Sequence, residues 1–258
     1  MIKIIDKDFT LFDEFKNFCK SDSFGTRIYS HFLCYSYEFD FALFWVQVDE
    51  NDEICSAVCK LDNEIILCLS NESDFEEISA FLSFQNILSV TFDASYKDNI
   101  DCDRNECSTG DILRYKGNDK NVVSFDIVTP DLKEYHNLLL SCESEDFAVP
   151  EYMNFLSDVS RRQQRNLCCI YGIKIADELA SCAMTVSYTD FSVILGAVAT
   201  HPHHRKHGYA GCIVKGLAEK FSEFSSVYIY TTVERNTRFY ESLGFEVTDK
   251  WCKYTYGG

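Results

Sequence analysis

The residues best suited to do chemistry lie between Val193 and Phe221, which read VILGAVATHPHHRKHGYAGCIVKGLAEKF. The apolar, β-branched run from Val193 to Thr200 predicts a buried strand. Pro202 has no N–H to give to a sheet ladder, so the chain should leave the sheet there. Arg205-Lys206-His207-Gly208-Tyr209-Ala210 comes next, and Ile213, Val214, Leu217, Ala218 and Phe221 then recur at helical spacing. A strand-turn-helix connection of this kind leaves the first helical amides without acceptors at the positive end of the helix dipole. An anion is the natural occupant, and a phosphate or pyrophosphate suits it. Gly208 lets a ligand approach the backbone, Ala210 is nearly as small, and Arg205 and Lys206 add positive charge. The plainer alternative is a connection that happens to contain a glycine.

The run Arg205-x-x-Gly208-x-Ala210, after a strand ending in Val198-Ala199-Thr200-x-Pro202, resembles the acyl-CoA-binding signature of the GNAT superfamily of N-acyltransferases. Asn236-Thr237-Arg238-Phe239-Tyr240-Glu241-Ser242-Leu243-Gly244-Phe245 resembles a second element of that family, in the same order, with a strand at Val227 to Thr231 between them. The resemblance implies an α/β fold of the α+β mixed-sheet kind, a mostly antiparallel twisted sheet with a splayed central strand pair flanked by helices. It implies acetyl-CoA (CoA) as cofactor. Contacts to the pantetheine arm would come from the backbone of Val198, Ala199 and Thr200. Contacts to the pyrophosphate would come from the amides of Arg205, Lys206, His207, Gly208, Tyr209 and Ala210. By the same resemblance Asn236 hydrogen-bonds the cofactor, and the Tyr240 hydroxyl protonates the thiolate of departing CoA.

Residue chemistry bears on these roles separately. Asn236 and Tyr240 are four apart on a predicted helix and share one face, Phe239 and Leu243 share another, and Gly244 suits a left-handed cap. A phenol can donate a proton while staying neutral, but Tyr240 would equally well fill the core. Ile194 and Val198 have side chains that the core explains as well as a ligand does. Aminolysis of a thioester needs the amine neutral, hence a base or a water relay. Glu234, Tyr188 and Asp190 are candidates, Glu234 being paired here with Tyr240 as the catalytic set. His201, His203, His204 and His207 bracket the cradle, yet a loop around a proline offers no rigid platform, so no metal site is expected. Arg161, Arg162 and Arg165 end a predicted helix, where the dipole favours cations in preference to an adenosine 3′-phosphate contact.

The elements that position these residues occupy one half of the chain. The 258 residues allow one large or two modest domains, and 46% hydrophobic with 25% charged residues is the balance of a soluble globular protein. Residues 1–120 carry 11 Lys and Arg against 24 Asp and Glu, residues 121–258 carry 13 against 17, and the whole chain has a net charge of −17. That sign disfavours nucleic acid as a partner. No apolar run approaches a membrane span and Met1-Ile2-Lys3 leads into charged sequence, so a cytoplasmic protein without a membrane partner is expected. The 13 cysteines form no zinc-type spacing and read as small buried apolar residues in a reducing compartment.

Along the chain, strands are predicted at Ile2 to Ile5, Ala42 to Val48, Ile54 to Leu61, Glu64 to Leu69 and Ile87 to Phe92. Helices are predicted from Phe9 to Cys19, from Thr26 to Tyr37, and from Ser73 through Leu82. Asn99 to Asp111 reads as an exposed loop, with a domain boundary at about Asn118. A strand at Val122 to Val128, a helix started by Thr129-Pro130-Asp131 and running through Leu140, another started by Pro150-Glu151 and running through about Arg162, and strands at Asn166 to Ile173 and Leu179 to Tyr188 precede the Val193 strand. Both halves thus give strand, helix, helix, three strands, helix, strand, and Asp52 to Ala57 echoes Asp177 to Ala183, which indicates an internal duplication. The first copy has Ser70-Asn71-Glu72-Ser73-Asp74 where the second has its cradle, with carboxylates that would repel a phosphate. Residues 1–117 are therefore expected to be a degenerate GNAT-like domain, and residues 118–258 the acyl-CoA-binding catalytic one.

The expected activity is an N-acyltransferase, transferring an acetyl group from acetyl-CoA to the primary amine of a small molecule or peptide by direct attack in a ternary complex. The alternatives are a non-catalytic CoA-binding or regulatory module and a longer-chain acyltransferase. A homodimer is left open.

Overall fold

The structure is a computed structural model that describes residues 1–101, 106–117, 124–144 and 147–256. The chain forms two compact units, Met1–Ile112 with Thr248–Gly258, and Leu113–Val247. Each is a mixed α/β layer structure built on a mostly antiparallel sheet. No described helix is long and apolar enough to cross a membrane.

The first unit contains β1 (Ile2–Ile4), α1 (Phe12–Phe18), α2 (Ser23–Tyr35), β2 (Ala42–Val48), β3 (Ile54–Leu61), β4 (Glu64–Leu69), α3 (Phe75–Ser83) and β5 (Ser89–Asp93). β1 to β4 pair antiparallel in sequence order, and β5 lies parallel to β4 from Glu64↔Ser89 to Ile66↔Thr91. The period-two pattern of β4 sends Ile65, Leu67 and Leu69 into one core with Ile78 and Leu82 of α3. Ile66 and Cys68 between them are buried too, and α2 packs against the same strand, so both faces of this sheet are covered.

The second unit contains α4 (Leu132–Leu140), α5 (Tyr152–Gln164), β7 (Ile170–Ile175), β8 (Glu178–Tyr188), β9 (Ser192–Thr200), α6 (Tyr209–Ser222), β10 (Ser226–Thr231) and α7 (Glu234–Ser242). Strand β6 (Glu106–Tyr115) is divided between the units at Ile112/Leu113, and β11 (Phe245–Thr255) at Val247/Thr248. Strand order in this unit is β6-β10-β9-β8-β7, with β10 parallel to β9 and the β7-β8-β9 meander antiparallel. Tyr135, Leu138 and Phe155 of α4 and α5 bury one face with Leu179, Cys182 and Met184. On the other face the expected stripe Ile213, Val214, Leu217, Ala218 and Phe221 of α6 packs with Val193, Leu195, Val227 and Ile229. The shared order, two helices, a three-strand meander, a helix and a parallel strand, is the one expected for a duplicated chain.

Several expectations need correction. Glu106 to Asp111 belong to β6 and not to a loop; their polarity reflects a strand end whose first four residues are exposed. Of the strand expected at Val122 to Val128, residues 122–123 lie outside the described residues, and Val128 makes only an isolated bridge to Gly172. Pro130 stands before the helix: Asp131 is the N-cap of α4, closed by a capping box with Glu134. The compact units also differ from a division at residue 117, because Trp251 to Thr255 pair antiparallel with Asp93 to Ser89 and join the first unit. Nothing local in a sequence marks a strand that returns to pair far upstream. The described cysteines are all free thiols, most of them buried, as expected of small apolar residues.

Candidate active site

The site is built where β9 parts from β10. Their parallel pairing runs from Ser192↔Ser226 to Leu195↔Ile229 and ends there, while β9 keeps β8 as far as Thr200. Between the pairs Met184↔Gly196 and Cys182↔Ala199, β9 advances three residues for two on β8, a bulge. Ala197 inside it has φ +48°, left-handed for a residue with a Cβ. The fully buried Tyr135 holds this conformation by donating its hydroxyl to the Ala197 carbonyl at 2.8 Å. Backbone groups of a strand face alternate neighbours. His201 N–H donates to Ala180 O at 2.9 Å and Ala199 O accepts from the Ser181 hydroxyl at 2.9 Å, so both residues face β8. Val198 and Thr200 therefore face the open side. Of the three residues expected to meet an extended ligand arm, Ala199 is the one turned away.

Beyond Thr200 the chain makes a 3₁₀ turn, Pro202–His204, and enters α6 through Arg205 to Gly208. The Arg205 amide points at Pro202 O, at a long 3.5 Å. Among the described residues, the amides of Lys206, His207, Gly208, Tyr209, Ala210 and Gly211 have no acceptor, and Cys212 N–H to Gly208 O at 3.0 Å is the first helical bond. No side chain caps this helix. Six free N–H groups therefore converge at the positive end of a 14-residue dipole. Five of the six residues, all but His207, line a cavity of about 360 Å³ together with Thr200, Arg205 and Phe239, among others. Gly208 has φ +85°, and a Cβ placed on it would meet nothing within 4 Å. The glycine is thus required by backbone conformation and leaves open space beside it. Arg205 is exposed and anchored by Nε to Thr200 O at 3.2 Å. His207 stacks on Tyr209, with ring centroids 5.6 Å apart.

The corresponding turn of the first unit is closed. Asp74 caps α3, accepting from Glu77 N at 3.0 Å, and Glu76 and Glu77 occupy its first turn. Ser73 is tied to Ser70 N and Cys55 O, both at 2.9 Å. A carboxylate of the chain's own already fills the place an anion would take.

On α7, Tyr240 is 8% exposed and packs with Phe239 and Phe245, at centroid distances of 5.2 and 6.1 Å. Burial pushes its phenol up to about 12. Phe239, its neighbour, is the α7 residue that lines the anion cavity. Asn236 is half-buried on the same helix. Glu234 is 78% exposed and ion-paired with Arg238 one turn on. Tyr188 pairs with Val193, and Asp190 lies in the turn between β8 and β9, which puts both at the opposite end of β9 from Thr200. Seven residues of strand separate Val193 from Thr200, about 23 Å. Strand direction thus removes these two from the cleft. Arg162 is 4% exposed, its Nε 2.9 Å from both oxygens of Asp158 and its Nη1 2.8 Å from Val186 O, so it is a structural cation. His201 and His204 face Glu178, the first residue of β8, a neighbour that sequence spacing gave no sign of.

Residues 171–254 match the family model described as FR47-like protein. A search of curated protein sequences finds no match. In fold, the chain is similar to an acetyltransferase from the GNAT family of Colwellia psychrerythraea, at 12% identity and TM-score 0.59 with all of both chains covered. It is similar to a tandem GNAT protein from the clavulanic acid biosynthesis pathway at 11% identity and TM-score 0.63, covering 99% of this chain and 98% of that one. A Drosophila protein aligns at 10% identity and TM-score 0.70 over 98% of each chain. The fold over the whole length is the tandem GNAT fold.

Proposed function

We propose that the second unit binds an acyl-CoA and transfers its acyl group, most simply acetyl, to a primary amine. The observation that carries this reading is the uncapped amino terminus of α6, opening onto the side of β9 that has no partner strand. The amides of Lys206 to Ala210 take the diphosphate, with Arg205 and Lys206 supplying charge from the rim. Val198 and Thr200 offer backbone donors and acceptors to the amide-bearing pantetheine arm, as a sheet edge does to an added strand. Asn236 supports the cofactor from α7. The first unit, its equivalent turn closed by Asp74, serves as a degenerate copy that binds no cofactor.

Acyl-CoA, when bound, supplies an activated thioester whose carbon–sulfur bond breaks as the amine forms its new carbon–nitrogen bond. Tyr240 holds the proton that the leaving sulfur needs. A phenol at about 12 is neutral at any working pH. In water a thiolate, with a thiol pKa of about 8.5, is too weak a base to take that proton readily. The transfer is carried forward because the thiol leaves neutral and the proton released by the attacking amine returns to Tyr240. Glu234, exposed on the first turn of α7, receives the amine's proton first, through water.

Its exposure, and the packing of Tyr240 among aromatic rings, favour one second reading: a module that binds acyl-CoA and transfers nothing. The test is release of free CoA from acetyl-CoA with a broad panel of amines. Turnover with any amine supports the transferase. Saturable binding without CoA release from any amine supports the module. Competition by longer acyl-CoAs fixes the chain length.

A further inference from the structure

We propose that Glu178, His201 and His204 form a binding site for one divalent transition-metal ion of the zinc class. Glu178 Oε1 is 4.0 Å from His201 Nε2 and Oε2 is 3.6 Å from His204 Nε2, and one ligand atom from each residue lies within 4.8 Å of the others. Zinc bonds of about 2.0–2.2 Å in a tetrahedron set ligand atoms roughly 3.3–3.5 Å apart, so rotations of the three side chains close the site. Two imidazoles and one carboxylate with a position left for water suit zinc or cobalt, and the nitrogen ligands disfavour calcium and magnesium.

The platform is firmer than a loop around a proline. His201 and His204 flank a 3₁₀ turn in which His204 N–H donates to His201 O at 2.8 Å, and positions three apart in such a turn eclipse. The two rings therefore stand on one side, centroids 5.8 Å apart. Glu178 is set opposite them by the β8-β9 ladder, through Ser181↔Thr200 and the bond from His201 N–H to Ala180 O at 2.9 Å. The imidazoles are 25% and 21% exposed and the carboxylate 61%, so an ion can enter from solvent into a partly sheltered position. Binding through His201 Nε2 shifts that ring's proton to Nδ1, at the cost of one weak contact, the His203 amide 3.4 Å away.

The full chain, reduced and stripped with a chelator, would be titrated with Zn²⁺ by calorimetry and with Co²⁺ by visible absorption. One equivalent should bind, with the intense visible bands of four-coordinate cobalt. Glu178→Gln, His201→Ala and His204→Ala should each weaken binding by at least about tenfold, the scale reached by loss of even an outer-shell partner. His203→Ala, outside the trio, should leave it unchanged, and circular dichroism should show all four variants folded. Absence of saturable binding, or binding equal in all variants as attachment to cysteine thiols would give, overturns the proposal.

Discussion

The Tyr135 hydroxyl sits 2.8 Å from the carbonyl oxygen of Ala197, and this bond ties α4 to the bulge from which β9 opens. A left-handed alanine costs on the order of 1–3 kcal/mol and persists only where its surroundings hold it. Tyr135→Phe removes the donor and leaves a carbonyl short of a partner, which should destabilise the protein by about 1–3 kcal/mol. It should also weaken acetyl-CoA binding as the bulge relaxes. Denaturant unfolding and calorimetry check the two effects separately; intact affinity would show that Tyr135 serves stability alone.

Gly208→Ala places a Cβ at φ +85°, beside the open side of the cavity. The left-handed penalty is roughly 1–2 kcal/mol, and as the free protein relaxes it by moving the amides of the cradle, affinity for acetyl-CoA should fall by about 5- to 30-fold. Calorimetric titration measures it. Gly117 also has positive φ and an open surrounding, at a distance in sequence from the cradle. Gly117→Ala should leave affinity unchanged.

Tyr240→Phe should keep acetyl-CoA affinity and lower kcat by about 10² to 10⁴, the range of a lost general acid. Weaker binding with unchanged kcat would assign Tyr240 to packing. The raised phenol gives a pH signature as well. Below the unfolded value of about 10 the neutral ring is bound in both states. As pH rises from there toward about 12, the unfolded chain ionises first, and the stability from burying Tyr240 is progressively lost. Unfolding free energy should therefore drop between these values, less steeply in Tyr240→Phe.

Much of this architecture is legible in the residues, and what is not has physical causes. The α6 stripe and the β9 run announce themselves because each buries one periodic face, and the cradle is contiguous, so its parts need no folding to be seen together. Strands β6 and β11 hide because their outer ends are solvated: Glu246 to Lys250 are exposed and carry no alternation. The bulge at Ala197 has only the neighbouring Gly196 to mark it, and its cause is Tyr135, 62 residues upstream. Tyr188 and Asp190 qualify as bases by residue type alone, and only the direction of β8 and β9 separates them from the cleft. Glu178 reaches His204 only through the hairpin that folds β8 back along β9.

The first unit should bind no second cofactor. Its α3 amides are met by Asp74, so acetyl-CoA should titrate with one equivalent per chain. Asp74→Ala should cost about 0.5–2 kcal/mol of stability as a lost cap, without creating a site. Two equivalents in the parent chain would contradict the assignment of residues 1–117 as degenerate.

The most direct measurement is a crystal structure with CoA bound. The diphosphate oxygens should lie within hydrogen-bond distance of the amides between Lys206 and Gly211, with the pantetheine arm along Val198 and Thr200. A diphosphate held elsewhere, or a cradle whose amides turn away and close, would contradict the account.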